Sequence, residues 1–114
     1  MNETQATRKI RKWFDDQGGV CHKNVGGPMS SGFPDLTCCL NGHMWLIEVK
    51  GPGTGARESR AIRDKYEGDM RMWLDQGATL RQALALKQWQ EAGATALIAT
   101  CVYDLEEKQK EGTI

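Results

Sequence analysis

The chain has 114 residues, 39% apolar and 26% charged, and its 15 basic and 15 acidic side chains cancel to zero net charge. That length fits one domain, residues 1–114, with a modest core, and the composition excludes a disordered or collagen-like chain. No apolar run approaches the roughly 20 residues that span a bilayer, and residues 1–20 lack a signal peptide's apolar middle, so no membrane partner is expected.

Residues 3–17 read as a helix, because Ala6, Ile10, Trp13 and Phe14 recur at helical spacing with Arg8, Lys9, Arg11 and Lys12 between them. Asn2 or Thr4 caps it and Gly18-Gly19 ends it. Glu3 leads onto the same stripe as Ile10; it either complements the helix dipole in the first turn or faces inward. Val20 to Val25 is a short strand, followed by the small-residue loop "GGPMSSG". Leu36 to Leu40 and Met44 to Val49 form two strands joined by Asn41-Gly42, a strong hairpin signal. After "GPGTGARESR", residues 59–75 read as one helix with Ile62, Tyr66, Met70 and Trp73 in a stripe. Gly77 closes it and Thr79 opens another, carrying Gln82, Leu86 and Trp89 on one side and stopping at Gly93. "ATALIATCVY" is a last strand, and Asp104 to Lys110 is a polar, helix-prone tail. The order αβββααβ implies an α/β fold, a mixed β-sheet flanked by helices.

Cys21, Cys38, Cys39 and Cys101 have no CxxC spacing, so buried thiols are expected rather than zinc or a disulfide framework. His22 and His43 have no ligand spacing either. Zero net charge means that any nucleic-acid face comes from local clustering.

The chemistry sits at one end of the hairpin. Asp35 and Glu48 each lie six residues from Asn41-Gly42, so they come nearly opposite each other, and Glu48 and Lys50 share a strand face. Two facing carboxylates repel unless a hard cation such as Mg²⁺ or Mn²⁺ lies between them. Lys50 is then placed to counter charge developing on phosphorus, which is the equipment of phosphodiester hydrolysis. The same residues also fit a Glu48–Lys50 surface ion pair with Asp35 opening a turn after Pro34.

Pro34-Asp35, twelve intervening residues and Glu48-Val49-Lys50 resemble the PD-(D/E)xK nuclease motif. With "NVGGPMSSGFPDL", "WLIEVKGPG" and "TLRQALALKQWQEAGATALIA" the resemblance covers nearly the whole chain and is closest to the VRR-NUC family, the virus-type replication-repair nucleases, in a stand-alone, phage-like form. It implies a restriction-endonuclease-like core in which Asp35, Glu48 and the Val49 carbonyl bind Mg²⁺ or Mn²⁺. It further implies that Lys50 is the catalytic lysine, that Gln82 orients a water or phosphate, and that Glu3 completes the metal site. The implied activity is a metal-dependent, structure-selective DNA endonuclease, of the kind that resolves Holliday junctions, acting as a homodimer in the cytoplasm (the host's, if the chain is viral). The segment Gly51 to Ala78 is longer than a minimal family member's, and Met70, Met72 and Trp73 in it serve either a dimer interface or the core.

Phosphate contacts are expected from Lys23, Asn24 and the loop residues Gly26, Ser30 and Ser31, with Arg57, Arg60 and Arg63 on the other side of the site. Nothing resembles a base-reading helix, so structured or branched DNA is the expected partner rather than a particular sequence. The alternative is a non-catalytic DNA-binding or dimerisation module on a nuclease-like fold, which has no need for charges in a sheet. Restriction-like cleavage lacks a visible specificity segment.

Overall fold

The structure is a computed structural model that describes residues 1–25 and 32–111. Helix α1 (Glu3–Asp16) opens with a reciprocal capping box, Asn2 accepting from the Gln5 N–H and Gln5 from the Asn2 N–H. Its buried stripe is Ala6, Ile10 and Phe14. Strands β1 (Val20–Lys23), β2 (Leu36–Leu40) and β3 (His43–Val49) form an antiparallel meander, and β4 (Thr95–Ala99) adds parallel to β3, giving the order β1-β2-β3-β4. The β2–β3 turn is the two-residue loop expected from Asn41-Gly42, with φ of 52° and 78°. Two positive φ values match the right-handed twist of a tight hairpin, and glycine accepts one without strain.

A parallel β3–β4 pair needs a crossover. It is supplied by α2 (Arg60–Arg63), α3 (Gly68–Asp75) and α4 (Leu80–Glu91), and α5 (Val102–Lys110) follows β4. The sheet is covered on both faces. Trp45, Ile47 and Val49 of β3 pack with Ile10, Phe14 and Leu105 on the α1/α5 side, where Phe14 and Trp45 meet edge to face at 5.3 Å. Leu46, on the opposite face, packs with Met70, Trp73, Leu74, Ala83 and Leu86. A strand buried on both sides must be apolar at consecutive positions, which is why "WLI" interrupts simple alternation.

Three expectations change. The helix expected over residues 59–75 is two helices, because Glu67 is extended (φ −128°, ψ 173°) and Gly68 sits at φ 59°. Arg71 bonds Asp64 at 3.0 Å and Asp75 at 2.9 Å while Arg63 reaches Asp75 at 2.7 Å, so side-chain ion pairs fold α2 back onto α3. The last strand stops at Ala99 rather than running to Tyr103. Asp104 turns back to accept from the Thr100 N–H at 2.8 Å, and the chain becomes α5, whose Leu105 is buried against the α1 side. The order is therefore αβββαααβα. Finally, Cys21 and Cys38, opposite each other in the β1–β2 register, are joined as a disulfide in place of the expected thiols, whereas Cys39 and Cys101 are free. Trp73 and Met70 are core residues; Met72 is exposed.

Candidate active site

The meander brings Asp35 to the end of β2, one step beyond the Leu36–Ile47 pair, and so opposite Glu48. Two hydrogen bonds hold that position. The Asp35 carboxylate accepts from the Val49 N–H at 2.9 Å, and its backbone carbonyl accepts from the Asn24 N–H at 2.8 Å. Asn24 also donates its side-chain amide to the Pro34 carbonyl and to the Thr37 hydroxyl, both at 2.8 Å. An amide nitrogen has two hydrogens, and both are used within the chain. Asn24 is thus a clamp that sets the entry of Asp35, and it has no side-chain donor left for the phosphate contact the sequence suggested.

Glu48 is only 3% exposed and Lys50 8%; they are the buried charged residues of the described chain. Burial pushes the Glu48 carboxyl up to about 9, the hydrogen bond and charge of Asp35 push the same way, Lys50 opposes, and Glu3 adds a smaller upward contribution. Raised this far, the Glu48 carboxyl keeps its proton at neutral pH unless a cation takes the proton's place. One oxygen of Glu48, Oε2, is buried without a hydrogen-bond partner among the described residues. Such an orphan is costly, and a buried lone pair beside a second carboxylate is what a hard divalent cation takes up. The donor set therefore fits Mg²⁺ or Mn²⁺. Among the described residues no three His, Cys, Asp or Glu side chains cluster as a metal cage, so the side chains that could hold such a cation are Asp35 and Glu48, the sparse ligation that Mg²⁺ tolerates.

Lys50 leaves β3 on the face of Glu48, its N–H bonded to the Ala99 carbonyl at 3.0 Å. Its ammonium donates to Gln82 Oε1 at 3.2 Å. The same oxygen accepts from the Thr79 N–H at 2.9 Å, and Thr79 accepts from the Gln82 N–H at 3.1 Å. Gln82 is thus the third residue of a capping box at the start of α4, and the cap fixes the oxygen that holds Lys50. The spacing Thr79-x-x-Gln82 carries this signal in the sequence. Glu58 supplies a second cap on α4 by accepting from the Leu80 N–H at 2.5 Å. That contact is 22 residues distant and leaves no local signature.

Glu3 is exposed in the first turn of α1, near enough for its charge to act on Glu48. Lys23 is exposed at the end of β1, paired with Leu36 and hence next to Asp35. Gly26, Ser30 and Ser31 lie outside the described residues. No described helix is long and apolar enough to cross a membrane.

No family model matches the chain, and no curated protein matches it. Among solved structures, one described as a VRR_NUC domain is similar over 98% of this chain and 97% of its own length, with a TM-score of 0.61 at 19% identity. The chain has the fold of a VRR_NUC domain.

Proposed function

We propose that the chain is a metal-dependent, structure-selective DNA endonuclease that hydrolyses phosphodiester bonds and acts as a homodimer on branched DNA, including four-way junctions. The observation that carries this reading is the buried Glu48, its Oε2 without a partner among the described residues, set against Asp35 and two residues from Lys50. A binding module gains nothing from a buried Glu48 that costs stability beside a second acid, whereas a hydrolase uses the two to hold a cation. Asp35, Glu48 and the Val49 carbonyl would hold Mg²⁺ or Mn²⁺, with Glu3 at the rim. Such a cation, when bound, supplies Lewis acidity and a nucleophilic water at neutral pH.

The chain's own residues do the rest. Lys50 presents a positive charge, pinned by Gln82, toward charge that builds on the phosphoryl oxygens during attack. Pinning removes the reorganisation that a solvated lysine must undergo. Asn24 and the Val49 N–H keep Asp35 in register with Glu48. Two-fold symmetry in a dimer presents two such sites to two strands, which suits a branched substrate.

A cleavage gel with a labelled four-way junction, a flap and a linear duplex, each with Mg²⁺, Mn²⁺ or EDTA, tests the proposal. Metal-dependent nicking of the branched substrates is expected. A folded protein that cuts none of them in either metal, yet binds DNA, is the non-catalytic module instead.

A further inference from the structure

An open groove of about 420 Å³ runs along the side of α1 where the helix meets β1, the edge strand of the sheet. Arg8, Arg11, Lys12 and Lys23 line it, with Thr7 and a single acid, Asp15, among its other residues. Lys12 is tied to Asp16 at 2.7 Å. Arg8, Arg11 and Lys23 form no ion pair among the described residues. The arginines of the crossover are different, since Arg63 and Arg71 are neutralised by Asp64 and Asp75. In a chain of zero net charge the groove is thus a local concentration of uncompensated cations.

Its position is informative. Lys23 pairs with Leu36, the neighbour of Asp35, and α1 begins at Glu3, whose charge is felt at Glu48. The carboxylate pair faces α4 and the groove faces α1, so the path between them runs around the end of the sheet where Lys23 and Asp35 sit on neighbouring strands. From Thr4 to Asp15 the helix rises about 16 Å, at 1.5 Å per residue. One strand of duplex DNA advances about 3.4 Å per phosphate, so this length faces roughly four or five successive phosphates. Exposed cations at Arg8, Arg11 and Lys12 in the middle of that length, with Lys23 beside them on β1, suit a polyanion and leave a small anion without an enclosing pocket.

We propose that this groove binds the sugar–phosphate backbone of the duplex arm flanking the cleavage point, guiding one strand from α1 past Lys23 to Asp35 and Glu48. The proposal rests on the nuclease reading and names the surface that grips its substrate. Arg8 and Arg11 are assigned here to DNA contact. The contact is independent of sequence, because cations on a helix flank meet phosphates rather than base edges.

Anisotropy of a labelled duplex, titrated in EDTA between about 50 and 200 mM salt, tests it through the slope of log K against log salt. Each lost phosphate contact lowers that slope by about 0.9, so the triple variant Arg8→Gln, Arg11→Gln, Lys23→Gln should lower it by about 2.7. Lys65→Gln, an exposed change outside the groove, should leave the wild-type slope. Metal binding by calorimetry should be the same in the triple variant as in wild type. If the triple variant fails to fold, Arg8→Gln alone must still lower the slope by about 0.9. An unchanged slope in a variant whose wild-type parent cleaves DNA overturns the groove and leaves the nuclease standing. An equal drop for Lys65→Gln also overturns it, as a general charge effect. A wild-type protein that neither binds nor cleaves DNA removes both readings.

Discussion

Glu48 should make the metal-free protein lose stability as pH rises, and Glu48→Gln should abolish that loss. The buried carboxyl is raised from an ordinary 4.5 to about 9, principally by burial and then by Asp35. A group whose folded value lies above its unfolded value contributes stability that is fully present below about pH 4.5 and is lost as pH climbs toward about 9. Within that window the unfolded chain binds one proton fewer, so stability falls by about 1.4 kcal/mol per pH unit. Between pH 5 and 8 the loss is about 4 kcal/mol, a large fraction of the 5–15 kcal/mol typical of a domain. Glutamine imitates the protonated acid in size and cannot ionise. Urea unfolding in EDTA at several pH values should therefore show near-equal stability at pH 5 and a variant more stable by about 4 kcal/mol at pH 8. Mg²⁺ at a hundred times its dissociation constant should return about 2.7 kcal/mol to the wild type and much less to the variant. Parallel pH profiles for the two proteins would refute the reasoning, since Glu48 would then ionise as freely folded as unfolded.

Lys50→Ala removes the cation held by Gln82 and leaves both carboxylates, so turnover should fall by about 10²–10³ while calorimetry still detects Mg²⁺ binding; wild-type cleavage would show that the lysine is structural. A Cβ at Gly77 would come within 2.7 Å of the Thr54 side chain and 3.0 Å of the Gly55 carbonyl, at φ 104°. Gly77→Ala should therefore cost about 1–3 kcal/mol, and an unchanged melting temperature would mean that the loop after Lys50 does not press on the α3–α4 turn. Light scattering at micromolar concentration should return twice the 12.7 kDa of one chain, and a mass of one chain throughout would count against the dimer.

Local rules wrote much of this protein into its sequence. Asn41-Gly42 sets a two-residue turn, and the strand period of two then places Asp35 opposite Glu48 and puts Lys50 on the Glu48 face. The helix of Ala6, Ile10 and Phe14 and the cap at Thr79 follow equally from short-range spacing. Tertiary structure decided what depends on partners distant in the chain. The segment 59–75 carries an unbroken apolar stripe, yet Arg63 and Arg71 find Asp75 and Asp64 across a break at Gly68, and the stripe is divided between two helices. "TCVY" has strand-forming residues, but Leu105 gains more by burial beneath α1 than the chain gains by extending an edge strand. The charge of Glu48 is also a tertiary property: its neighbours in sequence are Ile47 and Val49, and only closure of the sheet beneath α4 buries it against Asp35. The basic groove arises in the same way, because Arg8 and Lys23 lie 15 residues apart and converge only when β1 turns back along α1.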